Sequence, residues 1–105
     1  MRHFAEVDAT DAARQVAAGD AWLLQVREPG VGDPRASSAD VVTPVEPLPA
    51  PAAALDRAVL VLGHDDAAAR RYASRLVRAG FARVFVIRGG IRAWTESTAS
   101  APAHG

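Results

Sequence analysis

Three short, almost continuously apolar runs divide the chain, and each of them predicts a buried strand. They cover Trp22–Val26, Ala58–Leu62 and Val84–Ile87. Strands that are apolar on both faces are typical of a parallel sheet covered by helices on both sides. Because these runs alternate with helical segments, the pattern predicts an α/β fold with a central parallel sheet of four or five strands.

The segment between the second and third runs has a helical period. Its apolar residues recur three and four positions apart and form one stripe: Ala69, Tyr72, Ala73, Leu76 and Val77. We expect Arg71, Arg75 and Arg78 to be exposed on the opposite side, where they form a candidate partner surface. Gly80 is placed to end this helix in a left-handed conformation, with Phe81 folding back onto the last turn.

Two shorter helices are also predicted. Residues 8–19 form the first, with Asp8 or Thr10 as its N-cap and Gly19 as the residue that ends it. Gly89-Gly90 predicts a tight turn into the second, near the end of the chain.

Residues 30–54 differ in composition from their surroundings. Six prolines lie from Pro29 to Pro51, so no long helix is expected there, and only Val41-Val42 favours a short extended segment. Because neither flank could fold alone, we interpret this segment as an irregular excursion within a single domain of residues 1–96. Residues 97–105 are predicted to be a disordered tail.

Composition excludes several classes of function. The chain of 105 residues has no cysteine, which excludes disulfides, thiolate metal sites and persulfide chemistry on this chain. Its 12 arginines balance 12 acidic residues. Seven of the arginines fall in residues 58–95 against two acids. Without an aromatic platform or an overall basic charge, nucleic-acid binding is not expected.

No segment of the sequence predicts a membrane association. No apolar run approaches the roughly 20 residues that span a bilayer, and the N-terminus has no signal-like pattern. A cytoplasmic protein that does not bind membranes is therefore the expectation.

A specific order of features occupies the second half of the chain. A strand, a six-residue loop, a helix ending in Gly-Phe, a further strand and Gly-Gly-x-x-x-Trp follow one another. This order resembles a rhodanese domain, and Leu23–Pro29 is similar to the family's Leu-Leu-Asp-Val-Arg-Glu-Pro segment, with Gln25 in place of the aspartate. The family's Gly-His-Ile segment is missing from residues 30–42. The resemblance implies a three-layer rhodanese-like fold, with a central parallel sheet and helices on both faces.

The departures from the family pattern fall on its chemistry. In rhodaneses a cysteine on the loop after the middle strand carries sulfur, and counting back from Gly80 places that cysteine at Gly63. The family's glycine near Asp66 and arginine near Ala68 are also absent. The resemblance therefore implies a vestigial active-site loop without catalytic residues: Gly63, His64, Asp65, Asp66, Ala67 and Ala68.

The residues of this loop favour a binding role. Asp65 or Asp66 can cap the following helix, and both carboxylates would repel an anionic sulfur donor. The leading interpretation is a catalytically inactive rhodanese-like domain that acts as a binding or regulatory module. Its partner would be a protein or a small ligand, and no cofactor is expected.

Two alternatives stay open at this point. One is an enzyme with residual or altered activity, sulfurtransferase- or phosphatase-like, which uses His64 or Asp65 in the loop 63–68. The other is a protein-binding surface formed by the arginines named above or by the Pro-rich segment 43–51. A metal site is not expected, because the chain has only three histidines and two of them lie near its ends.

Overall fold

The computed structural model describes residues 4–36, 38–44 and 57–99, and these residues form five strands and three helices. In chain order the elements are β1 (Ala5–Val7), α1 (Ala9–Ala17), β2 (Ala21–Val26), β3 (Asp40–Val42), β4 (Ala58–Leu62), α2 (Asp66–Arg78), β5 (Arg83–Ile87) and α3 (Gly90–Ala99).

The strands form one sheet in the order β1-β5-β4-β2-β3, and every neighbouring pair is parallel. The three strands predicted from apolar runs are β2, β4 and β5, and all of them are interior strands. The two edges are β1, which no apolar run indicates, and β3, which contains Val41-Val42. The predicted parallel α/β sheet is confirmed with five strands.

Helices cover both faces of the sheet. On one face α2 packs its buried stripe against Val59, Val61 and their neighbours in β2 and β5. On the other face α1 and α3 pack against Leu60, Leu62 and Ile87, with Trp94 of α3 among the buried side chains. Successive residues of β4 thus point to opposite faces, and all five are buried.

The end of α2 follows the prediction from its sequence. Gly80 has a φ of 107°, and its N–H donates to Val77 while the N–H of Phe81 donates to Leu76. This pair of hydrogen bonds is a Schellman motif, which satisfies carbonyls that the helix leaves without partners. Phe81 is 2 % exposed and reaches the core beside α2.

The end of the chain differs from the expected tail. Helix α3 continues to Ala99, so residues 97–99 are helical rather than disordered. Thr98 donates a hydrogen bond to the carbonyl of Trp94, and Ser97 exchanges one with Thr10 of α1, which extends the helix beyond the sequence boundary. Residues 100–105 of the predicted tail, and residues 45–56 around the Pro-rich excursion, lie outside the described residues.

None of the helices in the described part of the chain is long and apolar enough to cross a membrane.

The strand order indicates at which edge of the sheet a ligand site is expected. The connection after β4 leads to β5 on one side, whereas the connection after β2 leads to β3 on the other side. In open parallel sheets, ligands bind outside the carboxyl ends of the strands at such a reversal. A ligand site is therefore expected among the loops after β2, β4 and β5.

Candidate functional site

The first residue of the loop after β4 has no room for a side chain. Gly63 is buried, and its carbonyl accepts a hydrogen bond of 2.8 Å from the N–H of Ile91 in α3. A Cβ added to Gly63 would lie 2.8 Å from the nitrogen of Ala69 and 2.9 Å from the carbonyl oxygen of Asp65. Both are main-chain atoms, so the clash cannot be relieved by a change of rotamer. The position that the resemblance assigns to a cysteine is closed in this loop.

Asp65 is the N-cap of α2. Its backbone is extended, and its Oδ1 accepts a hydrogen bond of 2.9 Å from the N–H of Ala68. The carbonyl of Asp65 also accepts from the N–H of Ala69. The bond to Ala68 satisfies one donor of the first turn that a rhodanese-like loop would offer to an anion, whereas the bond to Ala69 is the first regular hydrogen bond of the helix.

Asp66 has a different role from Asp65. Its Oδ1 accepts a hydrogen bond of 2.7 Å from the N–H of Gly89. Its other carboxylate oxygen lies 3.7 Å from the guanidinium of Arg70. Asp66 therefore ties the start of α2 to the turn between β5 and α3 instead of capping α2.

The Gly89-Gly90 turn packs against the same loop. Gly90 has a φ of 62°, and a Cβ there would lie 2.5 Å from the carbonyl oxygen of His64 and 2.9 Å from that of Gly63. Only glycine allows this approach of two main chains. The tight turn predicted for the two glycines fits this contact.

His64 meets a carboxylate from the loop after β2. Its Nδ1 lies 2.9 Å and 3.0 Å from the two carboxylate oxygens of Asp33. The side chain of His64 is 51 % exposed, whereas that of Asp33 is 10 % exposed. The hydrogen bond and the negative charge of Asp33 hold the pKa of His64 above its ordinary value of 6.5, and the charges of Asp65 and Glu28 add to this increase. Protonated His64 donates from Nδ1 to Asp33, so Nε2 is the ring nitrogen that does not take part in this contact.

The loop that carries Asp33 is anchored by a buried amide. Gln25 of β2 is 1 % exposed. Its Nε2 donates to the carbonyl of Pro34 at 2.9 Å, and its Oε1 accepts from the N–H of Ala36 at 2.8 Å. Both ends of the amide therefore hold main chain directly after Asp33.

These elements enclose an open cleft of about 740 Å³ at the carboxyl ends of the strands. Its lining residues come from the three loops and the starts of α2 and α3: Asp33, His64, Asp65, Asp66, Ala67, Gly89, Ile91 and Arg92. Three carboxylates face one arginine and one histidine, so the cleft does not favour a multiply charged anion. Four of the six residues of the predicted vestigial loop line it, while Gly63 lies behind it.

Ala68, the last residue of that loop, points elsewhere. It is 4 % exposed and lines a separate small cavity of about 170 Å³ together with Arg71 and Arg75. An arginine at position 68 would therefore face this second cavity.

Only part of the candidate partner surface formed by the three arginines of α2 is exposed. Arg71 lies 3.3 Å from the carboxylate of Glu28, and Arg75 donates to the carbonyl of Pro44. The guanidinium of Arg75 also lies over the ring of Tyr72, at 5.7 Å from its centroid. Arg75 is half-buried rather than exposed as expected, because it lies at the edge of the stripe that α2 buries. Arg71 and Arg78 are exposed as expected.

Two residues of the site were not identified from sequence. The sequence could have indicated Gln25, since a lone amide inside an apolar strand must find hydrogen-bond partners when it is buried. Asp33 had no signal, because a carboxylate in a Gly- and Pro-rich loop is unremarkable. Among the described residues, no group of three or more histidine, aspartate or glutamate side chains is arranged to hold a metal ion.

Solved structures with the same fold are similar over most of this chain. The solution structure of the rhodanese-like domain from the Alr3790 protein of Anabaena sp. is 19 % identical with a TM-score of 0.67, covering 95 % of this chain and 86 % of that one. A crystal structure of Alr3790 is 24 % identical with a TM-score of 0.70, covering 91 % and 77 %. The polysulfide-sulfur transferase homodimer of Wolinella succinogenes is 19 % identical with a TM-score of 0.65, covering 96 % and 83 %.

At these identities the structural likeness establishes the fold. No protein with a curated description matches the sequence. The family described as "Rhodanese-like domain" matches residues 9–97, which include every helix and strand except β1 and the end of α3. With this match and a sheet of the same fold, the chain belongs to the rhodanese-like domain family.

Proposed function

We propose that this domain is a catalytically inactive member of its family that acts as a binding or regulatory module. One observation carries the proposal: the nucleophile position is Gly63, and main-chain atoms occupy the space of any side chain there. Sulfur transfer through a persulfide needs a thiolate, because histidine and aspartate side chains are poor nucleophiles toward a sulfur atom. The chain has no cysteine to supply one.

The cleft beside His64 is the proposed binding site. It lies at the reversal of the strand order, and its polar groups are held by hydrogen bonds within the domain. Because carboxylates outnumber cations, the proposed ligand is a neutral or cationic small molecule, or a segment of a partner protein. We infer a cytoplasmic location from the sequence pattern alone.

A sulfur-transfer assay tests this proposal. The protein is incubated with thiosulfate and cyanide, thiocyanate is measured, and the mass of the intact protein is recorded after thiosulfate treatment. We expect thiocyanate at the rate of buffer alone and no added sulfur, while an active rhodanese in the same assay gives both signals. A stable sulfur adduct or a rate above buffer would refute the proposal.

The Asp33–His64 hydrogen bond supports a second candidate, a weak hydrolase. A carboxylate that orients an imidazole is the arrangement of a general base, and the half-exposed side chain of His64 lines the cleft. The acidic lining favours neutral esters over phosphate esters. Hydrolysis of p-nitrophenyl acetate and of p-nitrophenyl phosphate, compared between the protein and His64→Gln, separates the two candidates. Equal rates in the two proteins would rule out the hydrolase, so that only the binding role remains.

A further inference from the structure

The amide of Gln25 is used entirely to hold the loop after β2. Gln25 lies inside a strand in which all of its immediate neighbours are apolar and buried. A buried amide without hydrogen bonds is costly. Here both of its ends are satisfied by main-chain atoms of Pro34 and Ala36. No other strand residue among those described makes two such contacts to a loop.

The two contacts lie next to Asp33. Pro34 follows Asp33 directly, and Ala36 is 6 % exposed in the core formed with α1 and α3. On the other side of Asp33 the chain passes Gly30, with a φ of 83°, and Gly32, whose surroundings are open. The amide of Gln25 therefore holds the chain directly after Asp33, and before Asp33 the N–H of Val31 donates to the carbonyl of Glu28.

We propose that Gln25 is a positioning residue for His64: by holding the main chain of Pro34 and Ala36, it keeps the carboxylate of Asp33 on Nδ1 of His64. The inference rests on the proposed function in one respect, that His64 is the group the cleft presents to a ligand. Beyond that role, the inference assigns to Gln25, a buried residue of β2, control over the orientation and charge of the His64 imidazole.

Chemistry explains why an amide occupies position 25. A carboxylate could accept from the N–H of Ala36, but its second oxygen would face the carbonyl oxygen of Pro34, and two acceptors repel each other. Glutamine supplies the donor that Pro34 requires and the acceptor that Ala36 requires. The glutamine where the family resemblance expects aspartate therefore matches the loop of this chain.

The experiment measures the pKa of His64 by NMR of the imidazole ring. Four proteins are compared: the unchanged protein, Gln25→Met, Asp33→Asn and the double variant. The chain has only three histidines, and His64→Gln assigns the signal of His64. Gln25→Met keeps a side chain of similar length but removes both hydrogen bonds.

We expect Gln25→Met to lower the pKa of His64 most of the way to its value in Asp33→Asn. The double variant should show no further decrease, because Gln25 acts through Asp33. Asp65 and Glu28, which also raise this pKa, are unchanged in all four proteins. A folded Gln25→Met protein with the original pKa of His64 would overturn the inference, as would a full additional decrease in the double variant.

Two further variants keep the result interpretable. Asp8→Ala removes the N-cap of α1, so it lowers stability, but Asp8 neither lines the cleft nor is among the charges that raise the pKa of His64, which should stay unchanged. If Gln25→Met does not fold, Gln25→Asn withdraws the amide by one methylene group and should lower the pKa in the same way. None of these measurements needs a ligand, so a failure of this inference is distinct from a failure of the proposed binding role.

Discussion

Replacing Gly63 with alanine tests whether the loop after β4 is closed to every side chain. The new Cβ would lie 2.8 Å and 2.9 Å from two main-chain atoms and 3.2 Å from the Cβ of Ala69. Real Cβ atoms keep larger distances from such neighbours, so either the start of α2 or the loop must move. Since Asp65 caps α2 and Ile91 binds the carbonyl of Gly63, that movement also disturbs two hydrogen bonds.

The expected cost is that of overpacking a well-packed region. Inserting one carbon into such a site costs about 1–3 kcal/mol. Because the new contacts are with main-chain atoms, which cannot move aside by a rotamer change, we expect a cost of about 2–3 kcal/mol. For a domain of this size the midpoint of thermal unfolding should fall by roughly 8–20 °C. Urea unfolding followed by circular dichroism measures the free energy, and a thermal scan measures the midpoint.

Gly32 provides the matched control. It has no positive φ, and nothing lies within 4 Å of a Cβ added there. Gly32→Ala should change the free energy of unfolding by less than about 1 kcal/mol, and the lower entropy of its unfolded chain favours stabilisation. If Gly63→Ala proves as stable as Gly32→Ala, the loop has room for a side chain and the argument that the nucleophile position is closed fails.

Two further predictions concern Asp65 and His64 in the same loop. Asp65→Ala should lower the free energy of unfolding in urea by about 1 kcal/mol through loss of the α2 cap, whereas Asp20→Ala, which removes an exposed carboxylate without a cap, should change it by less than about 0.5 kcal/mol. Equal effects would contradict the cap. Because the folded state raises the pKa of His64, its bond to Asp33 stabilises the fold fully below pH 6.5 and loses that contribution as the pH rises through the raised pKa. Compared with His64→Gln, the unchanged protein should lose stability over that range, and parallel pH curves for the two proteins would refute this reasoning.

Local patterns in the sequence determined the interior strands and the longest helix of the fold. The interior strands β2, β4 and β5 are visible because parallel strands buried on both faces must be apolar throughout. Helix α2 is visible because its buried stripe repeats every three to four residues, and its end is visible because Gly80 adopts a conformation that other residues avoid. Each of these signals depends on residues close together in the chain.

Edge elements were less predictable for the same reason. Strand β1 has three residues and no buried apolar run, and it exists because it pairs with β5, about 80 positions later. Helix α3 continues past Glu96 through contacts with α1, and nothing in the polar residues at its end indicates them.

The candidate site required the tertiary structure. The sequence identified the loop at Gly63 and the absence of its cysteine, but the closed space depends on how the start of α2 and the turn at Gly90 pack against that loop. The Asp33–His64 contact joins residues 31 positions apart, and Gln25 controls it from a neighbouring strand. A sequence specifies the residue types within each element, whereas the meeting of side chains from separate loops is decided only when the sheet order brings the carboxyl ends of β2, β4 and β5 to one edge.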